Sequence, residues 1–469
     1  MIKLPCLPPE VLMCIVDLLG PTQADFDNFD HRYKPNVELY RLARMCTTLR
    51  NVCLPKLYEI CSVTGSRNLW RSLNIVRTLI ARPELARAVK RLIFDAGFYV
   101  DARHFPRSSV VLSALDSALF RQVLIGAAPT YINVDGMQAN TKLSEAECDL
   151  LGEYVACVAL ALVPNITSAI FSSRRLSIGR YVGIGAFRPG YFPRLEAFSI
   201  QEDEAGMDTD FDHAQGILRF SAPNLRRLIR WSIGLLSESV YPTITQLVLG
   251  CSRLTNADMA LLPRAFPRLE QFTYVDGGTD SLPYTAEWAV SARFLHEAVL
   301  GLRRTLKHLE LGAHEADLLG EDDMLENRFL ESLARMEVLE TLRLPTYFIF
   351  GDDDDTEQQS GDLMEVQPIF HTDLTQFLPR SIRSFYMDDA QQHTVVDILA
   401  LAQVVPSKFP NLRHVTFTDL PPSSDVVVRE AFEKCGVRFS FEDVDINEYE
   451  CDYTNDGDFP FGKNFTYYH

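Results

Sequence analysis

Apolar positions along this chain keep two alternating rhythms. A short phrase recurs as "FPRLEAFSI" (192–200), "APNLRRLIRW" (222–231), "YPTITQLVL" (241–249), "FPRLEQFTY" (266–274) and "FPNLRHVTF" (409–417). Looser copies are "VKRLIFDAG" (89–97), "VPNITSAIF" (163–171), "RTLKHLEL" (304–311), "MEVLETLRL" (336–344), "LPRSIRSFYM" (378–387) and "CGVRFSF" (435–441). The second half of each copy alternates apolar with other residues, as a strand with one buried face does. Between the copies, residues 286–302, 329–336, 394–405 and 427–436 place apolar residues three and four apart, which predicts helices. The chain is therefore expected to be α/β, with strands and helices in alternation.

The first apolar position of the copies moves through Leu195, Leu225, Ile244, Leu269, Leu306, Leu339, Ile382 and Leu412. These steps, roughly 19 to 43 residues long, surround the range of leucine-rich repeats. One strand and one helix cannot bury their own apolar face, whereas stacked neighbours form a continuous core. An irregular leucine-rich repeat solenoid, a horseshoe, is the architecture this pattern predicts over 89–441. A doubly wound sheet would call for longer hydrophobic strands and a glycine-rich phosphate turn.

The N-terminal stretch "LPPEVLMCIVDLL" (7–19) is also helical in pattern. Pro8 and Pro9 pre-set φ where no N–H needs a partner, and Glu10 complements the dipole. Val11, Ile15, Leu18 and Leu19 share one face, and Gly20-Pro21 ends the helix. Nothing beside it in sequence supplies a core for that face, so it is either a plain N-terminal cap or a docking element. A second apolar-faced helix is expected over Leu39–Val52, followed by "LPKLYEICSV" (54–63).

Bulk properties narrow the partners. The 469 residues are 47% hydrophobic and 23% charged, ordinary globular usage. A net charge of −18 opposes passive attraction to nucleic acid or anionic membrane and favours a protein partner. The start lacks a secretory h-region, and the apolar run Tyr154–Val163 is too short to span a bilayer, so cytoplasm and/or nucleus is the expected location. The ten cysteines show no C-x-x-C pair and read as reduced, buried thiols, with Cys14, Cys46, Cys53 and Cys157 in apolar helical stretches.

With the second helix in place, Leu7-Pro8-Pro9-Glu10-Val11, Ile15, Leu18-Leu19 and then Leu42 to Leu49 resemble the F-box. The whole chain resembles fungal F-box proteins with leucine-rich repeats, including "RTLIARPELARAVKRLIF" (77–94), where a helix and a Pro-Glu-Leu segment lead into the first repeat strand. The resemblance implies a substrate-recognition subunit of an SCF-type ubiquitin ligase. Its F-box (1–63) would bind a Skp-type adaptor, and through it a cullin–RING ligase, using Leu7, Pro8, Pro9, Glu10, Val11, Ile15, Leu18, Leu19, Leu42 and Leu49. Residues 64–88 would connect to the repeats, 89–441 would hold a protein substrate, and 442–469 would form an acidic and aromatic tail.

Enzyme chemistry finds no support in the sequence. "GRYVGIGAF" (179–187) lacks the remainder of a phosphate-binding loop, and His296-Glu297 and His314-Glu315 lack a second histidine at zincin spacing. No G-x-S-x-G occurs. Asp352–Asp355 lacks the spaced acceptors and closing Glu of a calcium loop. No catalytic residue, metal or cofactor is expected. The alternatives are a repeat scaffold acting outside any ligase and, further off, an α/β hydrolase.

Alternation also assigns a receptor face, since residues between the core leucines point away from them. That stripe comprises Ser199, Gln201, Gln271, Thr273, His308, Glu310, Arg343, Tyr386, Asp388, His414 and Thr416, with Arg227 and Trp231 from the copy whose Arg230 falls on a core position. Trp, Tyr and Arg are common interface anchors. Arg227, Trp231, His308, Arg343, Tyr386 and His414 are the candidate substrate-binding residues.

Overall fold

The proline of the recurring phrase opens a turn. In the computed structural model, the carbonyls of Phe192, Ala222, Tyr241, Phe266 and Phe409 accept from the N–H groups of Leu195, Leu225, Ile244, Leu269 and Leu412, at 3.0–3.3 Å. Proline stands second in each turn, where its fixed φ is already that of the turn. Both ends of every turn are buried, so the phrase anchors the chain in the core before each strand starts. The structure describes residues 7–22, 37–63, 69–95, 113–127, 145–173, 187–202, 209–210, 220–231, 233–235, 238–252, 254–276, 290–312, 330–350, 373–390 and 392–442.

The chain is α/β and divides into two units, Met1–Ser232 and Ile233–His469. In the first, β1 (Ile60–Val63), β2 (Arg91–Asp95), β3 (Ser168–Ser173), β4 (Ala197–Glu202) and β5 (Arg227–Trp231) each pair in parallel with the strand before. In the second, β6 (Gln246–Ser252), β7 (Gln271–Asp276), β8 (His308–Gly312), β9 (Thr341–Pro345), β10 (Ser384–Asp388), β11 (His414–Thr418) and β12 (Arg438–Glu442) pair in parallel, each with the next.

One main-chain device sets the register. The residue just before a strand offers its carbonyl to two consecutive N–H groups of the next copy. Glu270 accepts from Lys307 at 2.8 Å and His308 at 3.0 Å; Lys307 accepts from Glu340 at 2.8 Å and Thr341 at 2.9 Å; Glu340 accepts from Arg383 at 2.7 Å and Ser384 at 2.9 Å. Glu59, Lys90, Thr167 and Glu196 repeat the device in the first unit. Side chains along the same line alternate in sign, with Glu59–Lys90 at 2.7 Å, Glu270–Lys307 at 2.8 Å and Glu340–Arg383 at 3.4 Å.

The first unit holds α1 (Pro9–Leu19), α2 (Val37–Met45), α3 (Thr47–Leu57), α4 (Leu69–Ala81), α5 (Pro83–Ala88), α6 (Ala114–Ala127) and α7 (Glu145–Leu162). There α7 packs on α4 and α6, and Arg77 joins α4 to α6 through two hydrogen bonds to Asp116, at 2.9 and 2.7 Å. That guanidinium and the Ser113 hydroxyl outweigh burial and hold the Asp116 carboxyl down at about 2. A ladder of rings crosses the sheet beneath, Phe94 to Phe171 at 6.2 Å and Phe171 to Phe198 at 5.7 Å. Among the described residues no helix is long and apolar enough to cross a membrane.

Several expectations are corrected. The single helix over 39–52 is two, because Cys46 is extended at φ −161° and the two threonines that follow it resist continuation of α2. The parallel sheet begins at Ile60, inside the segment assigned to the N-terminal module rather than at residue 89. Within the helix expected over 329–336, the described residues 330–336 hold a 3-10 turn, Leu333–Arg335, where the Ser332 hydroxyl accepts from the Ala334 N–H and donates to the Gln376 carbonyl. Cys14 is exposed, whereas Cys53, Cys61 and Cys157 are buried, and burial pushes the Cys61 thiol up to about 12.

The second unit carries α8 (Asn256–Ala265), α9 (Ala292–Gly301), α10 (Val395–Lys408) and α11 (Pro422–Lys434). Thr255 caps α8 reciprocally with Asp258. Where α9 crosses α8, a Cβ on Gly301 would lie 2.6 Å from Pro263 Cγ. Gly301→Ala is accordingly expected to destabilise by about 1–3 kcal/mol through overpacking. Adding Pro263→Ala should return most of that loss, as read from urea unfolding midpoints of the single and double variants.

Candidate docking surfaces

The first surface is built on α1. Pro8 sits at the N-cap and Pro9 starts the helix, with the Pro8 carbonyl accepting from Val11 and Leu12 at 3.0 and 3.1 Å. At the other end, Gly20 leaves room for the Lys56 stem, since a Cβ there would stand 2.1 Å from Lys56 Cε. The Lys56 ammonium reaches Asp17 at 3.2 Å and Glu59 at 2.9 Å, tying the end of α1 to the end of α3. Packing divides α1 into two apolar faces. Val16 joins Leu39, Ala43 and Cys53 in a small core, against which Leu19, Leu42, Val52 and Leu57 rest; Leu12 is buried as well.

The adjoining face carries Val11, Ile15 and Leu18. Val11 is 42% and Leu18 85% exposed, and Ile15 is half-buried. Leu7 is half-buried, while Pro8, Pro9 and Glu10 are exposed. Leu49, at 1% exposure, belongs to the interior and is withdrawn from the surface set; Leu19 and Leu42 support the module from within. Met13, Val37, Tyr40 and Met45 are exposed apolar residues of α1 and α2 that the sequence pattern did not single out. The periodicity of α1 could not rank them, because leucine, isoleucine, valine and methionine occur all round this helix.

The second surface is a sheet face of the second unit. Strand register aligns Gln246, Gln271, His308, Thr341, Ser384, His414 and Arg438 in one row, and Val248, Thr273, Glu310, Arg343, Tyr386, Thr416 and Ser440 in the next. The second row is cross-linked by side chains. Thr273 Oγ1 donates to Glu310 Oε2 at 3.1 Å, Arg343 Nε lies 3.9 Å from Glu310 Oε1, and Arg343 donates to both oxygens of Asp388 at 2.9 and 3.2 Å. His414 stands edge-on to Tyr386, with 3.3 Å between Nδ1 and the phenol oxygen, and its Nε2 is 2.8 Å from Ser440 Oγ.

Burial pushes the Glu310 carboxyl up, but the His308 imidazole 3.9 Å away, the Arg343 charge and the Thr273 hydroxyl outweigh it and hold the group below its ordinary value. The arrangement is a pre-positioned set of donors and acceptors spread over six strands, suited to holding a polar segment laid across them. Among the described residues no three His, Cys, Asp or Glu side chains gather as a metal would require.

The receptor stripe needs trimming. His308, Glu310, Arg343, Tyr386, Asp388 and His414 are brought to one face as expected, and Gln271 is exposed beside them. Thr273 and Thr416 are buried, one bound to Glu310 and the other 2.8 Å from Ser440 Oγ, so they support the row instead of lining it. Ser199 is buried because the first unit covers both sheet faces: Ile93, Ile170 and Ile229, its register neighbours, are buried with it.

Arg227 is half-buried on β5, and Arg230 is buried in the core register opposite Ile200. The side chains of Gln201 and Trp231 lie outside the described residues, as do Gly183, Gly185, His314, Asp352–Asp355 and the tail beyond Glu442. His296 is buried on α9 with Glu331 at 3.6 Å, a packed histidine and not a zincin residue. Sequence reasoning missed Arg438 and Ser440, although continuing the alternation through "CGVRFSF" would have included both. No family model matches the chain, and no curated protein matches it.

Proposed function

We propose that the chain is a non-catalytic substrate receptor of a cullin–RING ubiquitin ligase, with an F-box-type module over α1–α3 and a leucine-rich repeat solenoid behind it. The observation that carries this reading is the outward face of α1. A helix with a proline-set start, a tethered end and a packed inner face still presents Val11 and Leu18 to solvent. Large aliphatic side chains at i, i+4 and i+7 are what a groove-binding helix offers its partner. A Skp-type adaptor is the partner that the Leu-Pro-Pro-Glu start points to.

The repeat half of the reading draws on the parallel strands, many of them preceded by a Pro-x-Leu turn or a variant of it, and on the helices that alternate with several of them. A receptor that holds one protein at each end brings them together without reacting with either. Its chemistry is confined to docking, and ubiquitin transfer belongs to the other subunits.

Purified full-length protein should capture a Skp-type adaptor in a pull-down. Leu18→Asp should lower adaptor affinity by about 2 kcal/mol or more, the range of an interface hot spot, because the carboxylate would enter an apolar groove unpaired. Its unfolding midpoint should stay at the wild-type value, since Leu18 has little packing to lose. Wild-type retention of the adaptor by Leu18→Asp would reject this reading, and an adaptor captured by neither protein would reject it as well.

A further inference from the structure

The alternating charge line that runs along the strand starts of the second unit stops alternating at its end. Glu270, Lys307, Glu340 and Arg383 take turns, but the next residue on the line is Arg413, and the strand after it begins at Arg438. The Arg383 carbonyl accepts from Arg413 N–H at 2.8 Å, and the Arg413 carbonyl from Arg438 N–H at 2.9 Å. Arg383 and Arg413 therefore stand level on adjacent strands, about 4.8 Å apart, and Arg438 follows on the next strand one position further on, beside His414 in the register.

Arg383 is 62% exposed and has Glu340 at 3.4 Å, while Arg413, Arg438 and the nearby Arg380 are exposed. Among the described residues, none of Arg380, Arg413 and Arg438 has a carboxylate within ion-pair distance, in a chain whose net charge is −18. Like charges set side by side repel one another, and an anion placed between them removes that cost while accepting paired N–H bonds.

We propose that Arg413 and Arg438, with Arg383 and Arg380 at their flank, form a docking site for a short acidic peptide segment of a partner protein. The size of the ligand follows from charge. Screening at physiological salt confines the arginines' field to roughly 8 Å, so a short segment meets only the cationic patch. A nucleic acid or an anionic membrane surface extends well past it and meets the net negative field of the chain. His414 and Ser440, beside Arg438 in the register, continue the donor set inward from the patch. The inference rests on the receptor half of the proposed function and not on adaptor docking.

The test is fluorescence anisotropy on full-length protein, titrated against a fluorescein-labelled peptide of alternating Glu and Ser. The wild type is expected to bind in a salt-sensitive manner, and Arg413→Gln with Arg438→Gln to weaken binding by roughly tenfold or more. Lys307→Gln, on the same line but paired with Glu270, should leave binding unchanged, and so should Leu18→Asp, which separates failure here from failure of the adaptor reading.

Equal binding by the double variant with an unchanged thermal melt would overturn the proposal, as would absence of binding to the wild type. A labelled oligonucleotide or phosphatidylserine vesicle bound as well as the peptide would also overturn it. Residues 443–458 of the chain itself carry seven carboxylates. Peptide binding that emerges only after these are changed to Asn and Gln would assign the arginines to the chain's own tail and defeat the proposal.

Discussion

Phe266→Ala is expected to be among the most damaging single substitutions in the second unit, lowering the unfolding free energy by about 3–5 kcal/mol. Phe266 opens the turn that precedes β7, its carbonyl accepting from Leu269, and its ring stacks on Tyr241 with centroids 5.4 Å apart. Tyr241 opens the preceding turn, and its N–H donates to the Ala265 carbonyl at 2.7 Å. A cavity here would loosen two successive turns, so the effect should exceed that of a leucine inside one strand. Chemical denaturation followed by circular dichroism measures it; a loss under 1 kcal/mol would mean that the turns are not what fixes the strands.

Arg343→Met should cost ~3 kcal/mol at neutral pH, with a deficit that narrows on acidification. The Arg343 side chain is 17% exposed and stands between Glu310 and Asp388, themselves 20% and 26% exposed. In the wild type the Glu310 carboxyl lies below its ordinary value, so the stability linked to its ionisation is present above the unfolded pKa, near 4, and is lost as pH falls through the folded one. Without the guanidinium, burial is opposed only by His308 and Thr273, so the folded carboxyl is held down less than in the wild type and takes up its proton at a higher pH. The variant therefore recovers ground on the wild type between pH 7 and about 4. Parallel urea titrations at the two pH values test this, and a gap that widens towards pH 4 would refute it.

The local chemistry of the repeats was legible in the sequence. Proline, a spacer pair and then leucine specify a turn by backbone stereochemistry alone, and the alternation that follows gives each strand its inner residues without knowledge of its neighbours. The Arg227 copy shows the strength of that rule. Its register opposite Ala197 holds even though it drives Arg230 into the core.

What was not legible depended on surroundings. The exposure of Ser199 was misjudged because alternation says which residues share a face, not whether that face is covered. The division of α1 into an inner Leu12 and Val16 and an outer Val11 and Leu18 was hidden because both sets are equally apolar. The break at Cys46 was hidden because two short helices and one long one have nearly the same apolar spacing. The union of Arg343 with Asp388 spans adjacent strands separated by a long stretch of chain, and only strand pairing makes them neighbours.

The shared carbonyl before each strand has a consequence for how such a chain can change over generations. Because the bonds are made by main-chain groups, nearly any residue can stand at those positions, and glutamate, lysine, threonine and arginine all do. Insertions between one strand and the next turn leave the bonding intact. Copies separated by unequal stretches, such as those at Ile244 and Ile382, can therefore drift apart in wording and length while keeping the same grammar, and a lineage can acquire new surface segments without renegotiating its sheet.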